Sequence, residues 1–306
     1  MSQQQPRFAI EVALLILLAV LWGSSYLWIK IAVHTIPPLT LIAARVAIAA
    51  LVLGAVVMWL GYTWPRDLQT WRLLFVQAFL NSAGAWTILA WGQQFVDSGL
   101  AGVLNSTSPL FVLLFTLVWT RHEAITKAKV TGVLLGIGGV IAIVGFDALR
   151  GLGQQVVAQL AVLLGAVMYA GAAIYGKQKF NHLHPTATAA GTMICASACL
   201  VPLSLVIDRP WRLEPAREAI IATVILSVLC TALALLLYFR LLRTLGSIRV
   251  ASQSYLRAGL SVVLGIVVLG EQITAVVVFG ALATIIGVAL INMPAPNDAR
   301  SANSNR

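Results

Sequence analysis

Glu123-Ala-Ile-Thr-Lys-Ala-Lys-Val-Thr-Gly132 opens a glycine-rich apolar run that ends near Ile143, and Glu271-Gln-Ile-Thr-Ala-Val-Val-Val-Phe-Gly280 opens another that ends near Ile291. The offset is 271 − 123 = 148 residues. Without a gap it aligns Glu123 with Glu271, Ile125 with Ile273, Thr126 with Thr274, Val130 with Val278, Gly132 with Gly280, Gly139 with Gly287 and Ile143 with Ile291. Roughly half the positions of the stretch agree, well above coincidence even in an apolar-biased chain. The same offset pairs Gly23 with Gly171, Pro37 with Pro185, Thr40 with Thr188 and Ser106 with Ser254. One half of the chain is a diverged copy of the other.

Around this repeat the composition is that of a membrane protein. Of 306 residues 60% are hydrophobic and only 10% charged, at a mean hydropathy of +0.93, too little polar side chain to coat a soluble globule. Apolar runs of about twenty residues recur, each long enough to cross a hydrocarbon core of about 30 Å as a helix. Alternating strands are absent, so the spans read as helices. They fall near 10–32, 39–60, 71–95, 99–120, 130–146, 156–176, 186–207, 219–239, 247–269 and 274–293. The predicted fold is an all-α membrane protein of ten transmembrane helices in two five-helix repeats, residues 1–146 and 156–293, followed by a polar tail at 294–306.

Charge sets the orientation. Ten crossings put both termini on one side. That side holds Arg7, Arg66, Arg72, Arg121, Lys127, Lys129, Lys177, Lys179, Arg240, Arg243, Arg249, Arg300 and Arg306, against Lys30, Arg150, Arg209, Arg212 and Arg217 on the other. Positive charge is retained in the cytoplasm, so both termini are expected there, in an inner (plasma) membrane. The net charge of +10 is then topological and does not imply a nucleic-acid partner. Five helices per repeat is an odd number, so the second copy enters the membrane from the opposite face. Such inverted repeats are a recurrent build of carriers that work by alternating access.

Candidate binding residues are the polar and aromatic side chains placed deep in the spans. Arg257 lies near mid-depth of the ninth span, where an unpaired charge costs about 2.5–3.5 kcal/mol, and it shares a helical face with Gln253, Ser254 and Ser261. It suits a carboxylate or other anion; the alternatives are a structural arginine on freed carbonyls, or one that snorkels. Arg45, about two turns from the outer end of the second span, is expected to reach the interface in a structural role. Gln77, Asn81, Gly84 and Trp91 form a face of the third span with amides to satisfy and a gap at the glycine, serving helix contacts or a cavity. Asn105 and Ser108 in the fourth span flank Pro109, which removes a backbone donor and predicts a local break. Trp22 and Ser25 in the first span, Trp86 in the third, Tyr169 in the sixth and Tyr255 in the ninth are deep enough to line a cavity or to pack a core. Gly132, Gly136 and Gly139, with Gly280 and Gly287, permit close backbone approach, either within the chain or as a homodimer seam through the fifth or tenth helix.

Other classes of function lack their residues. There is no phosphate-binding glycine loop, no metal-binding His-Glu pair and no nucleophile with a base; the four histidines fall in loops or at span ends. Cys195, Cys199 and Cys230 sit in spans as small apolar residues. No enzyme activity, cofactor or metal is expected, although a membrane-embedded enzyme or a non-transporting protein stays open. Every carboxylate lies at a span end or in a loop; Glu11 is the candidate for proton coupling.

These residues resemble a known group, the ten-helix EamA branch of the drug/metabolite transporter superfamily. The resemblance rests on Trp22-Gly-Ser-Ser-Tyr26, Ile36-Pro-Pro38 ahead of the Arg45 segment, and the stretch from Ser98-Gly-Leu-Ala-Gly102 to Ser108-Pro109. It rests also on the two Glu-x-Ile-Thr segments and on Arg243-Thr-Leu-Gly-Ser-Ile-Arg-Val-Ala251. It implies a central cavity lined mainly by the first, third, fourth, sixth, eighth and ninth spans, and export of an amino acid or organic anion, or alternatively of cationic drugs. Members often carry a proline after the Tyr-Leu pair of the ninth span; this chain has Arg257.

Overall fold

Proline decides where two of the helices start. Pro38 and Pro185, repeat mates one residue apart in register, each occupy the first helical turn, where a missing N–H forfeits no internal bond. The computed structural model describes residues 8–115, 127–149, 153–180, 183–245, 253–272 and 274–291. Its helices are α1 (Phe8–Ala32), α2 (Pro38–Trp59), α3 (Leu68–Ala78, a π-helical turn Phe79–Ala83, then Gly84–Gly92) and α4 (Ser98–Asn105 and, after a break, Ser108–Phe115). They continue as α5 (Lys127–Leu149), α6 (Gly153–Lys179), α7 (Pro185–Ile207), α8 (Arg217–Ser227, a π-helical turn Val228–Leu233, then Ala234–Thr244), α9 (Gln253–Leu269) and α10 (Ala275–Ile291).

The packing has the symmetry the repeat demands. α2 packs on α7 and α5 on α10; α1 packs on α8 and α9, and α6 on α3 and α4. Exchanging the halves maps α2–α7 and α5–α10 onto themselves and the contacts of α1 onto those of α6, so the two units are equivalent; with five helices in each, an odd number, they are inverted. The π-helical turns of α3 and α8 also fall at nearly equivalent places, 149 to 150 residues apart (228 − 79 and 233 − 83).

Glycine sets the α5–α10 contact. A Cβ on Gly139 would stand 2.5 Å from the Gly280 carbonyl oxygen, and one on Gly287 would stand 2.5 Å from that of Gly132. Two backbones therefore touch here, and the glycine faces are used between the halves of one chain. The opposite faces carry Leu134, Ile141, Phe279 and Ile286, all exposed. With such apolar rims around the whole bundle, and seven helices long and apolar enough to cross a bilayer, this is a multi-pass membrane protein.

Two expectations change at the helix ends. α8 runs to Thr244, so Arg240 belongs to a helix and not to a connection. Its Nη2 donates to Glu11 Oε1 at 2.8 Å, and Thr244 Oγ1 donates to Glu11 Oε2 at 2.8 Å. Glu11, read from the sequence as a span-end acid, is only 1% exposed and already ties α1 to α8.

Candidate binding site

Helical periodicity turns Arg45 inward. It shares the buried stripe of α2 with Leu41, Ala49 and Leu53, and it is 5% exposed. The expected reach to the interface is therefore overturned: an arginine on this stripe meets other helices, at any depth. Its guanidinium carbon stands 3.8 Å from the centroid of the Trp86 ring, a cation–π contact from α3. Its Nε donates to Thr231 Oγ1 at 2.8 Å. Thr231 lies in the π-helical turn of α8, and its hydroxyl donates in turn to Leu226 O, five residues back, at 2.8 Å. The wider turn is what frees that carbonyl and aims the hydroxyl oxygen at Arg45. Among the described residues this is the only hydrogen bond of the guanidinium, and its two terminal nitrogens donate to none.

Other aromatic side chains extend the layer. Trp86 Nε1 donates to the Tyr169 hydroxyl of α6. Tyr169 lies within electrostatic range of Arg45, Tyr26 and Arg257. The Tyr26 hydroxyl of α1 accepts from Asn105 Nδ2 at 2.6 Å, and Asn105, 3% exposed, keeps an Oδ1 with no partner. Asn105 stands at the break in α4 that Pro109 predicts. Three hydroxyls cover the carbonyls near it: Ser106 Oγ donates to Gly102 O, Thr107 Oγ1 to Leu104 O and Ser108 Oγ to Asn105 O, at 2.6 to 2.9 Å.

α9 completes the layer through close approach to α4. Gly99 and Gly102 lie against Val262 and Ser261, and a side chain at Gly102 would overlap Ser261. The two helices run antiparallel, so one turn further along, Asn105 reaches the level of Arg257. Arg257 is half-buried, its Nε is shielded from solvent, and it makes no hydrogen bond to a described residue. One turn before it, Gln253 is 4% exposed and its Oε1 has no partner. No described Asp or Glu enters this layer; each stands at a helix end or in a connection. The layer therefore holds two guanidinium groups, unneutralised carbonyl-type acceptors at Asn105 and Gln253, and three aromatic rings.

A cavity of about 530 Å³ opens at the far end of α1, away from Glu11, lined by Lys30, His34, Asp97, Glu218, Leu269 and Glu271 among others. Lys30 stands one turn along α1 from Tyr26, and its ammonium donates to the Gln93 and Val96 carbonyls at 2.9 and 2.8 Å, closing the C-terminal end of α3. Gly270, at φ +65°, ends α9 in the left-handed conformation that favours glycine and turns the chain back. Glu271 then accepts from Ser98 N at 2.7 Å and Gly99 N at 3.0 Å, capping α4. The first residue of the repeated motif is thus a cap supplied from the connection between α9 and α10. Its mate Glu123 lies outside the described residues.

The remaining candidates disperse. Trp22 packs on Tyr238, ring centroids 5.2 Å apart, in a separate apolar cluster with Leu18, Leu21 and Leu241. Ser25 Oγ donates to Trp22 O in its own helix at 2.6 Å. Asn81 donates to its neighbour Ser82, Gln77 lies against Gly176, and the gap expected at Gly84 is filled by Met168. Ser254 and Tyr255 are helical, but their side chains lie outside the described residues. Of the candidates the structure brings Trp86, Asn105, Tyr169, Gln253 and Arg257 into one layer, together with Arg45, Tyr26 and Thr231. α2 thus contributes beside the six spans expected to line the centre. The buried stripe of α2 was the signal that could have found Arg45.

The profile of the EamA-like transporter family matches residues 9–145 and again 156–293. This chain belongs to the EamA-like transporter family. The two matches are the two halves seen in the packing. Among EamA-like relatives, the uncharacterized transporter YoaV of Bacillus subtilis (strain 168) is 24% identical over 90% of this chain and 94% of its own. The uncharacterized inner membrane transporter YedA of Escherichia coli (strain K12) is 24% identical over 85% and 83%. An uncharacterized transporter of Archaeoglobus fulgidus is 27% identical over 90% and 95%. A solved crystal structure superposes on 92% of this chain and 97% of its own with a TM-score of 0.66 at 18% identity, a likeness of fold alone. Transport is the general function of this EamA-like chain.

Proposed function

We propose that this EamA-like protein moves a small carboxylate-bearing metabolite, an amino acid or organic anion, outward across the inner membrane by alternating access, with both termini in the cytoplasm. The observation that supports this most is the pair of guanidinium groups, Arg45 and Arg257, in a layer with no described carboxylate. In a low-dielectric interior an anion gains far more from such groups than in water. A permanently cationic drug meets the opposite field. The rings of Trp86 and Tyr26 could attract a cation, but Arg45 already covers Trp86. Inverted halves that each contribute to the layer suit exposure of one site to each side in turn.

Purified protein in liposomes tests this. Labelled carboxylates should show saturable uptake and counterflow. Strictly linear flux would mean a channel, turnover in detergent without a gradient an enzyme, and binding without accumulation a non-transporting protein.

A further inference from the structure

We propose that the transported molecule is a dianion, a short dicarboxylate, with one carboxylate received by Arg45 of the first half and the other by Arg257 of the second. This rests on the carrier reading above and narrows its substrate class.

The geometry of Arg45 carries the first part. Trp86 covers the guanidinium from one face and Thr231 holds Nε, so the fork of terminal nitrogens is oriented, and it bonds no described residue. Such a fork matches the two oxygens of a carboxylate. A purely structural arginine would be satisfied by carbonyls that broken helices release. Here those carbonyls are already taken. At the α4 break Gly102, Leu104 and Asn105 carbonyls accept from Ser106, Thr107 and Ser108, and at the π-helical turn of α8 Leu226 accepts from Thr231. Among the described residues no acceptor meets the terminal nitrogens of Arg45, and the unpartnered oxygens of the layer, Asn105 Oδ1 and Gln253 Oε1, are not bonded to them, so the fork is left to a ligand.

Arg257 carries the second part. It lies at the level of Asn105, within electrostatic range of the same Tyr169, and it too bonds no described residue. Two positive groups with no counter-ion among the described residues ask for two negative ones. A monocarboxylate leaves one guanidinium unneutralised, and a neutral amino acid brings its ammonium group towards the second arginine. A dicarboxylate matches both. Each half contributes one anchor, and the repeat mates of these arginines are Met193 and Pro109, so the pair is not a by-product of the duplication.

The test uses purified full-length protein with malonate, succinate, glutarate and adipate, each against the monocarboxylate of equal carbon number, and alanine. Affinity is read by calorimetry and exchange by counterflow of the labelled acid in liposomes. At least one dicarboxylate should bind about tenfold or more tighter than its monocarboxylate and than alanine, and should exchange. Arg45→Gln and Arg257→Gln should each cut the advantage of the dicarboxylate over its monocarboxylate to about threefold or less. Arg45→Lys, which keeps charge and loses the fork, should recover only part of it. If Arg45→Gln does not fold, Arg257→Gln and the wild-type comparison still decide. Monocarboxylates or alanine equalling every dicarboxylate would overturn the dianion proposal and leave the carrier standing; if no carboxylate exchanges at all, the carrier reading fails with it.

Discussion

Glu271→Gln isolates the contact between the repeated motif and α4. In the structure the carboxylate accepts from Ser98 N and Gly99 N at 2.7 and 3.0 Å, two of the donors that a helix start leaves unpaired. A glutamine keeps one acceptor oxygen, loses the charge facing the positive end of the helix, and turns an NH2 group towards the second donor. Hydrogen bonds to charged groups contribute about 1.5–3 kcal/mol each and neutral ones about 1. Glu271 lines an open cavity, so water compensates part of the loss, and about 1–2 kcal/mol of local stability should go. Hydrogen exchange by mass spectrometry reads this directly: peptides covering Ser98 and Gly99 should exchange about 5–30-fold faster. Glu218→Gln, in the same cavity but without these bonds, should leave them unchanged. Unaltered exchange in Glu271→Gln, or equal acceleration in Glu218→Gln, would refute the cap and leave only a diffuse field.

Gly287→Ala puts a methyl 2.5 Å from the Gly132 carbonyl oxygen and 2.7 Å from Gly136 N, so it should lower stability in detergent by about 1–3 kcal/mol; Gly138→Ala, with open space around it, should be neutral or gain up to about 1. Equal thermal midpoints for the two would contradict the α5–α10 contact. Thr231→Val removes the acceptor of Arg45 Nε at nearly constant volume and should weaken carboxylate binding by about 1–2 kcal/mol in calorimetry, with a normal elution profile. Glu11→Gln removes the charge that pairs with an Arg240 that is 54% exposed, so its cost is held to about 1 kcal/mol, and a cysteine cross-link between the facing ends of α1 and α8 should form more slowly.

The architecture was legible because its determinants are local or periodic: length of apolar run, charge between runs, and a repeat at fixed offset. The break at Asn105 followed from Pro109, a residue with only one way to act on a helix. The site was legible in part. Trp86, Asn105, Tyr169, Gln253 and Arg257 stood out as polar or aromatic groups at depth. Arg45 was misread because distance from a helix end was weighed above helical face, and its partners come from two other helices. One of them, Thr231, is aimed by a π-helical turn, and Val228–Leu233 shows nothing in its residue types that marks an inserted position. Gly84 was misread for a related reason: a glycine shows that something approaches closely, and only the neighbour Met168 tells whether a space is left.

The α5–α10 seam also bears on how such a chain could be divided. Its glycines lie within α5 and α10, so the contact is made by the last helix of each half. Two separate polypeptides cut after Leu149 would carry matching surfaces, one inserted each way up. A single five-helix unit able to insert in both orientations would meet its own copy through the same face, which makes gene duplication a way of fixing a pairing that the surface already allowed.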